Sequence, residues 1–408
     1  MTPLPETPDQ DRVRVGEGTT LVGMVGMLDQ VAGAERAYWL ASSGLRDLFG
    51  FELLQVTQRP PVGPLPDERE VHALRPGGRR GFLGLPQLFA FRRILRDAQR
   101  PAILFSFQLN TNILSVFANA LLPSRLRLPV VVNDRANIIS GTTPVLDRGV
   151  AWFGRLILVR FLSRWAYRRA SLVVCNSRQN ADQVREFLGK GHPPVTAIPN
   201  PVEVGAIQDR FPERDRSSFL RPGKPVIVGH GRLFHDKGWE MLIRVLARVR
   251  NEFPAARLRV VGEGLLLPQL ERLAEEFGVR GHCDFEGFTD DPLPKVEDTD
   301  VYVLASRSEG MPNSLLEAVA LGLPCVSTDC ATGPSEILGR DERTGRLVPV
   351  DGEDEMTAAI LELLRDGETR HALARAARER AWDFRTEACV EAYAKLLADY
   401  CARDDKAS

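Results

Sequence analysis

The chain alternates short apolar runs with longer amphipathic segments along most of its length. The apolar runs have the length of strands and the segments between them have the spacing of helices, which is typical of βαβ units and parallel sheets. The predicted strands are TTLVGMVGM, FELLQVT, AILFSF, PVVVND and SLVVCN in the first half, and PVIVGHG, ARLRVVGEG, HCDFEGF, VYVLAS, PCVSTD and GRLVPV in the second. We therefore predict an α/β fold with two Rossmann-like domains.

The predicted helices carry apolar residues at helical spacing. The charge-free run from Pro101 to Ser124 holds several polar side chains in its middle, so it is interpreted as a buried strand, a loop and a helix rather than a membrane span. The predicted helices are AERAYWLASSGLRDL, ILSVFANALL, GWEMLIRVLARVRNEF, LPQLERLAEEFG, PNSLLEAVALG, the single long segment MTAAILELLRDGETRHALARAARERAWDF, and TEACVEAYAKLLADYC.

A length of 408 residues exceeds what one hydrophobic core usually serves, so two domains are expected. A segment rich in proline and charge separates the two halves and is interpreted as a linker. The last predicted helix is a candidate to cross back onto the first domain. The expected parts are a disordered tail at 1–19, a first domain at 20–203, a linker at 204–224, a second domain at 225–385, and a crossover helix with a tail at 386–408.

Composition places the chain among globular proteins, with 44% hydrophobic and 26% charged residues. The six cysteines have no paired spacing, so they predict reduced core thiols and no metal cluster. The first twenty residues contain no apolar stretch of the signal-peptide type. We therefore expect a cytoplasmic protein.

Charge is distributed unevenly between the two halves. Residues 1–200 carry 25 Lys and Arg against 16 Asp and Glu, a net +9, whereas residues 201–408 carry 28 against 38, a net −10. The first half is therefore expected to face an anionic partner. The segment from Gly149 to Arg169 has five arginines, three tryptophan or tyrosine residues and no acid. A partly buried structural helix is the favoured interpretation, because Arg155 and Arg169 fall on the side opposite the other three arginines. A helix on an anionic bilayer is the alternative.

Two glutamates flank a Gly-Met-Pro-Asn step in the stretch SRSEGMPNSLLEA. The pattern predicts a strand that ends near Ser306 and a helix that begins at the proline or the asparagine. The N–H groups and partial positive charge of such a helix terminus favour phosphate, and carboxylates such as Glu309 and Glu317 accept hydrogen bonds from hydroxyls. The stretch predicts two hydroxyl-binding carboxylates beside a phosphate site, or alternatively a helix with a solvated Glu317.

A second loop, GHGRLFHDKGWE, carries two cations after a glycine-containing turn. Arg232 and Lys237 fit two phosphate groups, because arginine is a planar fork and lysine a point charge. The loop is not a P-loop, since GxxxxGK[ST] is absent, and it lacks the third glycine of GxGxxG. Taken alone, the two cations are also consistent with surface charges.

Together, GRLxxxKG, VGEG, FEGF and EGMPNSLLE occur in an order that resembles the family-4 glycosyltransferases of GT-B fold. The resemblance covers most of the second half and extends into the first, where AGAERAYWLA is similar to the family's glycine-rich first loop. It implies two Rossmann-like domains, 20–203 for the acceptor and 225–385 for the donor. It also implies a retaining, metal-independent transfer of a hexose or N-acetylhexosamine from a nucleotide diphosphate, with UDP expected and no cofactor.

The resemblance assigns roles to matching positions. Arg232 and Lys237 would hold the donor diphosphate, Glu309 would contact the donor sugar, and Glu317 would contact the ribose. Glu309 as a nucleophile in a double displacement is the less favoured alternative. The other implied donor-binding residues are Gly33, Gly231, Gly262, Glu263, Gly310, Met311, Pro312, Asn313 and Ser314.

The acceptor side departs from the family pattern. Many members carry a histidine where FSFQLNTNILSV has glutamine and asparagines, and the first glycine of the first loop is an alanine here. Asn110 and Asn112 either bind acceptor hydroxyls or cap the following helix. VNDRANII, which contains Arg135, and STDCATGPSEIL are similar to members that elongate lipid-linked oligosaccharides or surface polysaccharides. This implies a glycan acceptor linked to undecaprenyl diphosphate, with Arg135 as an acceptor-binding residue.

Two other functions remain open on the sequence alone. One is a UDP-sugar epimerase of GT-B fold, and the other is a non-catalytic protein that binds nucleotide sugars. Nucleic-acid binding is not predicted, because the chain has no recognised nucleic-acid motif. The expected location is the cytoplasm, with peripheral contact to the inner face of the plasma membrane.

Overall fold

Two parallel β-sheets with helices between their strands make up the protein. The structure is a computed structural model. Contacts divide the chain into two compact units, the first containing residues up to Asn133, Leu162–Val173 and the chain from Cys389 onward, and the second containing Asp134–Phe161 and Val174–Ala388. The structure describes residues 15–26, 33–58, 71–74, 85–99, 101–135, 150–221 and 223–401.

The first sheet has seven strands in the order β3-β2-β1-β4-β5-β6-β7. Its central strands are apolar runs buried on both faces, as parallel sheets covered by helices require. Val22 of β1 lies opposite Leu54 of β2 and Leu104 of β4, in parallel register. The strands are β1 (Thr20–Val25), β2 (Glu52–Thr57), β3 (Val71–Ala73), β4 (Ala102–Phe107), β5 (Val130–Asp134), β6 (Leu172–Cys175) and β7 (Val195–Ala197).

Helices connect these strands, and the charge-free run of the sequence is confirmed as a strand followed by a helix. No helix in the described ranges is both long and apolar enough to span a bilayer. The linker predicted at 204–224 begins with a short helix. The helices are α1 (Gly33–Phe49), α2 (Leu85–Asp97), α3 (Leu109–Ala120), α4 (Val150–Tyr167), α5 (Arg178–Leu188) and α6 (Val204–Arg210).

The second sheet has six strands in the order β10-β9-β8-β11-β12-β13, with all strand pairs parallel. The strand order reverses at β8, which lies between β9 and β11. In open α/β sheets, ligands bind at the carboxyl ends of the strands at such a reversal. The strands are β8 (Val226–His230), β9 (Arg257–Val261), β10 (Cys283–Phe285), β11 (Val301–Leu304), β12 (Cys325–Thr328) and β13 (Arg346–Val348).

All six strands predicted for this half are confirmed, but the long segment predicted as one helix is two. Asp366 lies between them in an extended conformation, and its side chain accepts a hydrogen bond from the N–H of Thr369, which caps the second helix. The helices are α7 (Trp239–Val249), α8 (Leu267–Glu276), α9 (Leu293–Glu297), α10 (Asn313–Ala320), α11 (Pro334–Leu338), α12 (Glu353–Arg365), α13 (Gly367–Arg380) and α14 (Thr386–Cys401).

The last helix, α14, packs in the first unit, which confirms the predicted crossover. Tyr393 is fully buried, and its ring lies edge-on to Phe105 with centroids 5.4 Å apart. Its hydroxyl donates to Oδ1 of Asn133 at 2.7 Å. The tail predicted at 1–19 lies outside the described residues as far as residue 14, and so does the chain beyond 401.

This packing predicts the effect of removing one hydroxyl. Tyr393→Phe leaves the buried Asn133 Oδ1 without this donor, so the free energy of unfolding should fall by about 1–3 kcal/mol in urea titration. Tyr400→Phe is the matched control, because the Tyr400 hydroxyl donates to Ser171 O at 3.0 Å from a partly exposed position that water can reach. Equal losses for the two variants would contradict the docking of α14.

Candidate functional site

The loops that follow β8 and β9 are locked together through two glycines. The N–H of Gly231 donates to Val261 O at 2.9 Å, and the N–H of Leu233 donates to Glu263 O at 2.8 Å. Gly262 has φ +143°, and a Cβ added there would overlap the carbonyl oxygen of Gly231. Only glycine fits this close approach, so the predicted residues Gly231 and Gly262 fix the shape of the loop that carries the two cations.

A third glycine sets the direction of Lys237. Gly238 has φ +66° and is the N-cap residue of α7, and a Cβ there would overlap the carbonyl oxygen of Ala305, just after β11. The indole N–H of Trp239 donates to Arg232 O at 2.9 Å, which anchors the other end of the loop. The loop after β8 is therefore held against the end of β11.

Lys237 and Glu309 form the central ion pair of this region. Nζ of Lys237 lies 2.6 Å from Oε1 of Glu309, and the Glu309 side chain is only 9% exposed. Ser306, fully buried, donates from Oγ to the same Oε1 at 2.7 Å. Thr332, also buried, donates its hydroxyl to the backbone carbonyl of Glu309. The carboxylate is thus held by a cation and a hydroxyl, and its backbone by a second hydroxyl.

The turn after Glu309 leads directly into α10, which begins at Asn313 within the predicted range. Gly310, Met311 and Pro312 are buried, whereas Asn313 and Ser314 are partly exposed. Asn200 supports the turn, because its Nδ2 donates to Met311 O at 3.0 Å and to Asn313 Oδ1 at 2.6 Å. The N-terminus of α10 is therefore fixed next to the ion pair in sequence and in space.

Arg135 lies beneath this turn rather than on a surface. Its side chain is buried, and Nη1 donates to Asn200 Oδ1 at 2.8 Å. This contact makes Arg135 a support for the turn through Asn200. The predicted contact of Arg135 with an acceptor stays a prediction.

Glu317, one turn into α10, is buried and bonded to a histidine. Oε2 of Glu317 lies 2.9 Å from Nε2 of His230, the last residue of β8. Both residues are 8% exposed. The alternative of a solvated Glu317 is therefore wrong, because the carboxylate lies inside the second unit.

Arg232 and Glu263 occupy more open positions. The Arg232 side chain is exposed, and its guanidinium lies 5.3 Å from the centre of the Phe234 ring. Glu263 is also exposed. The structure thus brings Lys237 and Glu309 into contact, while Arg232 lies on the same loop with its side chain on Phe234.

The predicted residues of the first half, Gly33, Asn110 and Asn112, belong to the first unit. Gly33 begins α1 and Asn110 lies in the first turn of α3, both exposed at the carboxyl ends of strands. Asn112 is fully buried, accepting from Ser106 Oγ at 2.7 Å and donating to Asn133 O and to the Tyr167 hydroxyl. Because its side-chain amide is hydrogen-bonded to buried groups of the first unit, Asn112 has a structural role in the core.

The alternative that a side chain of this segment caps α3 is not what the structure shows. Gln108 occupies the N-cap position with φ +76° and makes no side-chain capping bond, and its Nε2 donates to Glu35 Oε1 instead. A non-glycine residue in this conformation is uncommon. The strain marks the carboxyl end of β4 as a specialised position in the first unit.

Sequence reasoning missed four residues that build the site: Ser306, Thr332, Asn200 and His230. Ser306 and Thr332 have short hydroxyl side chains, and the groups that accept their hydrogen bonds are determined only by tertiary contacts. His230 lies between two glycines, where a lone histidine carries no chemical signal of its own. Its position directly before GRL, at the end of a predicted strand, was the available signal.

The cysteines of the second unit behave as core residues. Burial, with a smaller contribution from Glu309, raises the pKa of the Cys330 thiol to about 12. Burial also raises the pKa of Cys325. Within the described part of the chain, no group of three or more His, Cys, Asp and Glu side chains is arranged to hold a metal ion.

Two Rossmann-like sheets with a cation loop and an acidic turn at the carboxyl edge of the second define a GT-B protein. Family comparison agrees, since a glycosyl transferase 4-like domain matches residues 32–201 and a glycosyl transferases group 1 domain matches residues 211–380. The chain belongs to the family-4 glycosyltransferases.

Two of the relatives similar to this chain are named as glycosyltransferases or sugar transferases. The lipopolysaccharide core biosynthesis glycosyltransferase LpsE of Rhizobium meliloti is 32% identical over 234 residues, 57% of this chain and 65% of the relative. The N-acetylgalactosamine-N,N'-diacetylbacillosaminyl-diphospho-undecaprenol 4-alpha-N-acetylgalactosaminyltransferase of Campylobacter jejuni is 28% identical over 225 residues, 55% of this chain and 59% of the relative. The matched region therefore spans less than two thirds of either relative.

Among solved structures, Anabaena HepE in complex with UDP and glucose superposes with a TM-score of 0.72. The sequence identity is 17%, and the match covers 93% of this chain and 99% of HepE. At this identity, the likeness shows the fold.

The glycine lock predicts a difference between two alanine substitutions. Gly231 and Gly262 both have a positive φ, and a residue with a side chain in such a conformation costs about 1–3 kcal/mol of stability. Only at Gly262 would an added Cβ also overlap backbone atoms. Gly262→Ala should lower the free energy of unfolding more than Gly231→Ala, which has open space around its Cβ. Urea titration of the two variants measures this, and equal losses would contradict the lock between the loops.

Proposed function

We propose that the protein transfers a hexose or N-acetylhexosamine from a nucleotide diphosphate donor, UDP-linked, to a glycan acceptor with retention of anomeric configuration. The observation that carries the proposal is the Lys237–Glu309 pair, which lies beside the N-terminus of α10 at the carboxyl edge of the second sheet. Residues 225–385 bind the donor and residues 20–203 bind the acceptor. Relatives named as transferases favour transfer over epimerisation or binding alone.

The residues of the site divide into phosphate and hydroxyl contacts. Lys237, Arg232 and the N-terminus of α10 supply positive charge to the diphosphate, together with the backbone around Gly310. Glu309 accepts hydrogen bonds from the donor sugar, and Glu317 accepts them from the ribose. Lys237 and Ser306 both donate to Oε1 of Glu309, so the carboxylate is oriented before the sugar arrives.

In the proposed reaction, the bond between the sugar C1 and the diphosphate oxygen breaks, and its electron pair leaves with that oxygen. An acceptor hydroxyl forms the new bond to C1 on the same face of the sugar, and its proton passes to the departing diphosphate oxygen. Preorganised positive charge stabilises the leaving group in this scheme. No metal, cofactor or protein nucleophile takes part.

The donor base and the acceptor are proposed by comparison. HepE was crystallised with UDP and glucose, which supports a UDP-linked donor. The Campylobacter jejuni relative is named for a diphospho-undecaprenol acceptor, which supports a lipid-linked glycan. Such an acceptor belongs to a membrane, so we place the reaction at the cytoplasmic face of the plasma membrane, in surface polysaccharide synthesis.

One face of α4 supports peripheral contact with an anionic bilayer. Phe161 is 66% exposed, while Ser163 and Ala166, on the other side of the helix, are fully buried. The exposed face combines apolar side chains, which enter the interface, with cations, which bind anionic headgroups. The exposed residues of this basic-apolar face are Ile157, Leu158, Arg160, Phe161 and Arg164 of α4, together with Arg168 directly after the helix.

The function predicts which variants lose turnover. Lys237→Ala should lower kcat by about 10²- to 10³-fold, as loss of a preorganised transition-state donor does. Glu309→Ala should lower it by roughly 10- to 100-fold, because hydrogen bonds to a charged group are lost. UDP release from the UDP-sugar that the wild type consumes measures both effects. Lys224→Ala, an exposed lysine of the same unit, should keep wild-type turnover. Wild-type rates for both folded site variants would show the assignment to be wrong.

The membrane proposal predicts a salt-sensitive, charge-dependent interaction. Arg164→Ser combined with Arg168→Ser should weaken binding to anionic vesicles roughly 30-fold, at about 1 kcal/mol for each arginine. Cosedimentation with anionic and zwitterionic vesicles is the measurement. The matched control is Arg340→Ser combined with Arg343→Ser, two exposed arginines of the second unit, which should bind like the wild type. Equal weakening in both double variants would contradict a specific face on α4.

A further inference from the structure

We infer that His230 is a positioning residue that fixes the carboxylate of Glu317 and thereby sets the selectivity of the site for ribose. The inference rests on the proposed function, in which Glu317 contacts the donor ribose.

His230 and Glu317 are in contact although they are far apart in the sequence. His230 ends β8, every residue of which is buried, and Glu317 lies on α10, 87 positions later. Nε2 and Oε2 are 2.9 Å apart. The ring of His230 also packs edge-on against Tyr302 of β11, with centroids 5.7 Å apart and planes at 69°. Packing and the hydrogen bond together fix the plane of the imidazole.

The chemistry of the pair defines which group donates. An ionised carboxylate only accepts hydrogen bonds, so Nε2 carries the hydrogen and donates it to Oε2. Nδ1 of the same ring is buried and has no hydrogen-bond partner among the described residues. A buried polar atom without a partner costs stability, and an apolar residue at this strand end would avoid that cost. The histidine is therefore better explained by what Nε2 does for Glu317 than by packing.

A fixed carboxylate can discriminate between sugars. A carboxylate has about four acceptor positions, and His230 uses one of them. With Oε2 held by Nε2, the carboxylate plane is set, and the remaining positions point in defined directions. Two vicinal ribose hydroxyls then bind in one geometry, whereas a 2′-deoxyribose lacks one of the donors.

The test compares the Kd of UDP and GDP with those of their 2′-deoxy counterparts, by calorimetry on the full chain. The wild type should bind the ribonucleotide it prefers roughly 10- to 100-fold more tightly than the deoxy form. His230→Phe keeps a ring but has no N–H, and should reduce this ratio to about threefold or less. His230→Gln returns an N–H donor near the position of Nε2 and should restore most of the ratio.

His235→Ala is the matched control. His235 lies on the same loop, its side chain is 70% exposed, and it contacts Glu240 rather than Glu317. It should keep the wild-type ratio. A wild-type ratio in folded His230→Phe, together with a lost ratio in Glu317→Ala, would overturn the role of His230 and leave the proposed function standing. Failure of the wild type to bind either nucleotide would overturn the proposed function itself.

Discussion

The structure of the site depends on one ion pair, between Lys237 and Glu309. A carboxylate that is only 9% exposed is costly unless it is paired and hydrogen-bonded, and Glu309 is both. The cost of the pair is met within the protein before any ligand binds, since Ser306 orients the side chain and Thr332 holds its backbone. Charges fixed in this way need no rearrangement at the moment of reaction, which is the condition for electrostatic catalysis.

The position of the pair follows from the topology of the sheet and from backbone without side chains. Because β8 lies between β9 and β11, the loops after all three strands meet at one edge. Gly262 brings two of these loops into contact, and Gly238 brings the third. The parallel sheet brings the three loops to one edge, and the glycines allow them to approach closely enough for Lys237 to contact Glu309. The same edge holds His230 and Glu317, so the contacts proposed for sugar and ribose share one scaffold.

Most of the fold of the second unit was predictable because its strands are apolar, β-branched runs with clear turns between them. The break at Asp366 was missed because a single capping residue interrupts a segment whose composition is helical throughout. Strands β3 and β7, of three residues each, were missed because VHA lies among charged residues and VTA lies among prolines. Within the site, residue types and spacing singled out Lys237 and Glu309 as candidates, but their direct contact was not predicted, because it depends on tertiary packing. The burial of Asn112 and the histidine partner of Glu317 could not be predicted, because both depend on residues distant in sequence.

We propose that the second unit binds a sugar nucleotide by its diphosphate, at the Lys237–Glu309 edge. The most direct measurement is a thermal unfolding series with UDP-, GDP- and ADP-sugars, in the wild type and in Lys237→Met. Ligand at 100 times its Kd stabilises a folded protein by about 2.7 kcal/mol, which shifts the unfolding temperature by a measurable amount. We expect UDP-sugars to raise this temperature in the wild type and to raise it far less in the variant. An unchanged unfolding temperature with all three classes, or an equal rise in both proteins, would contradict it.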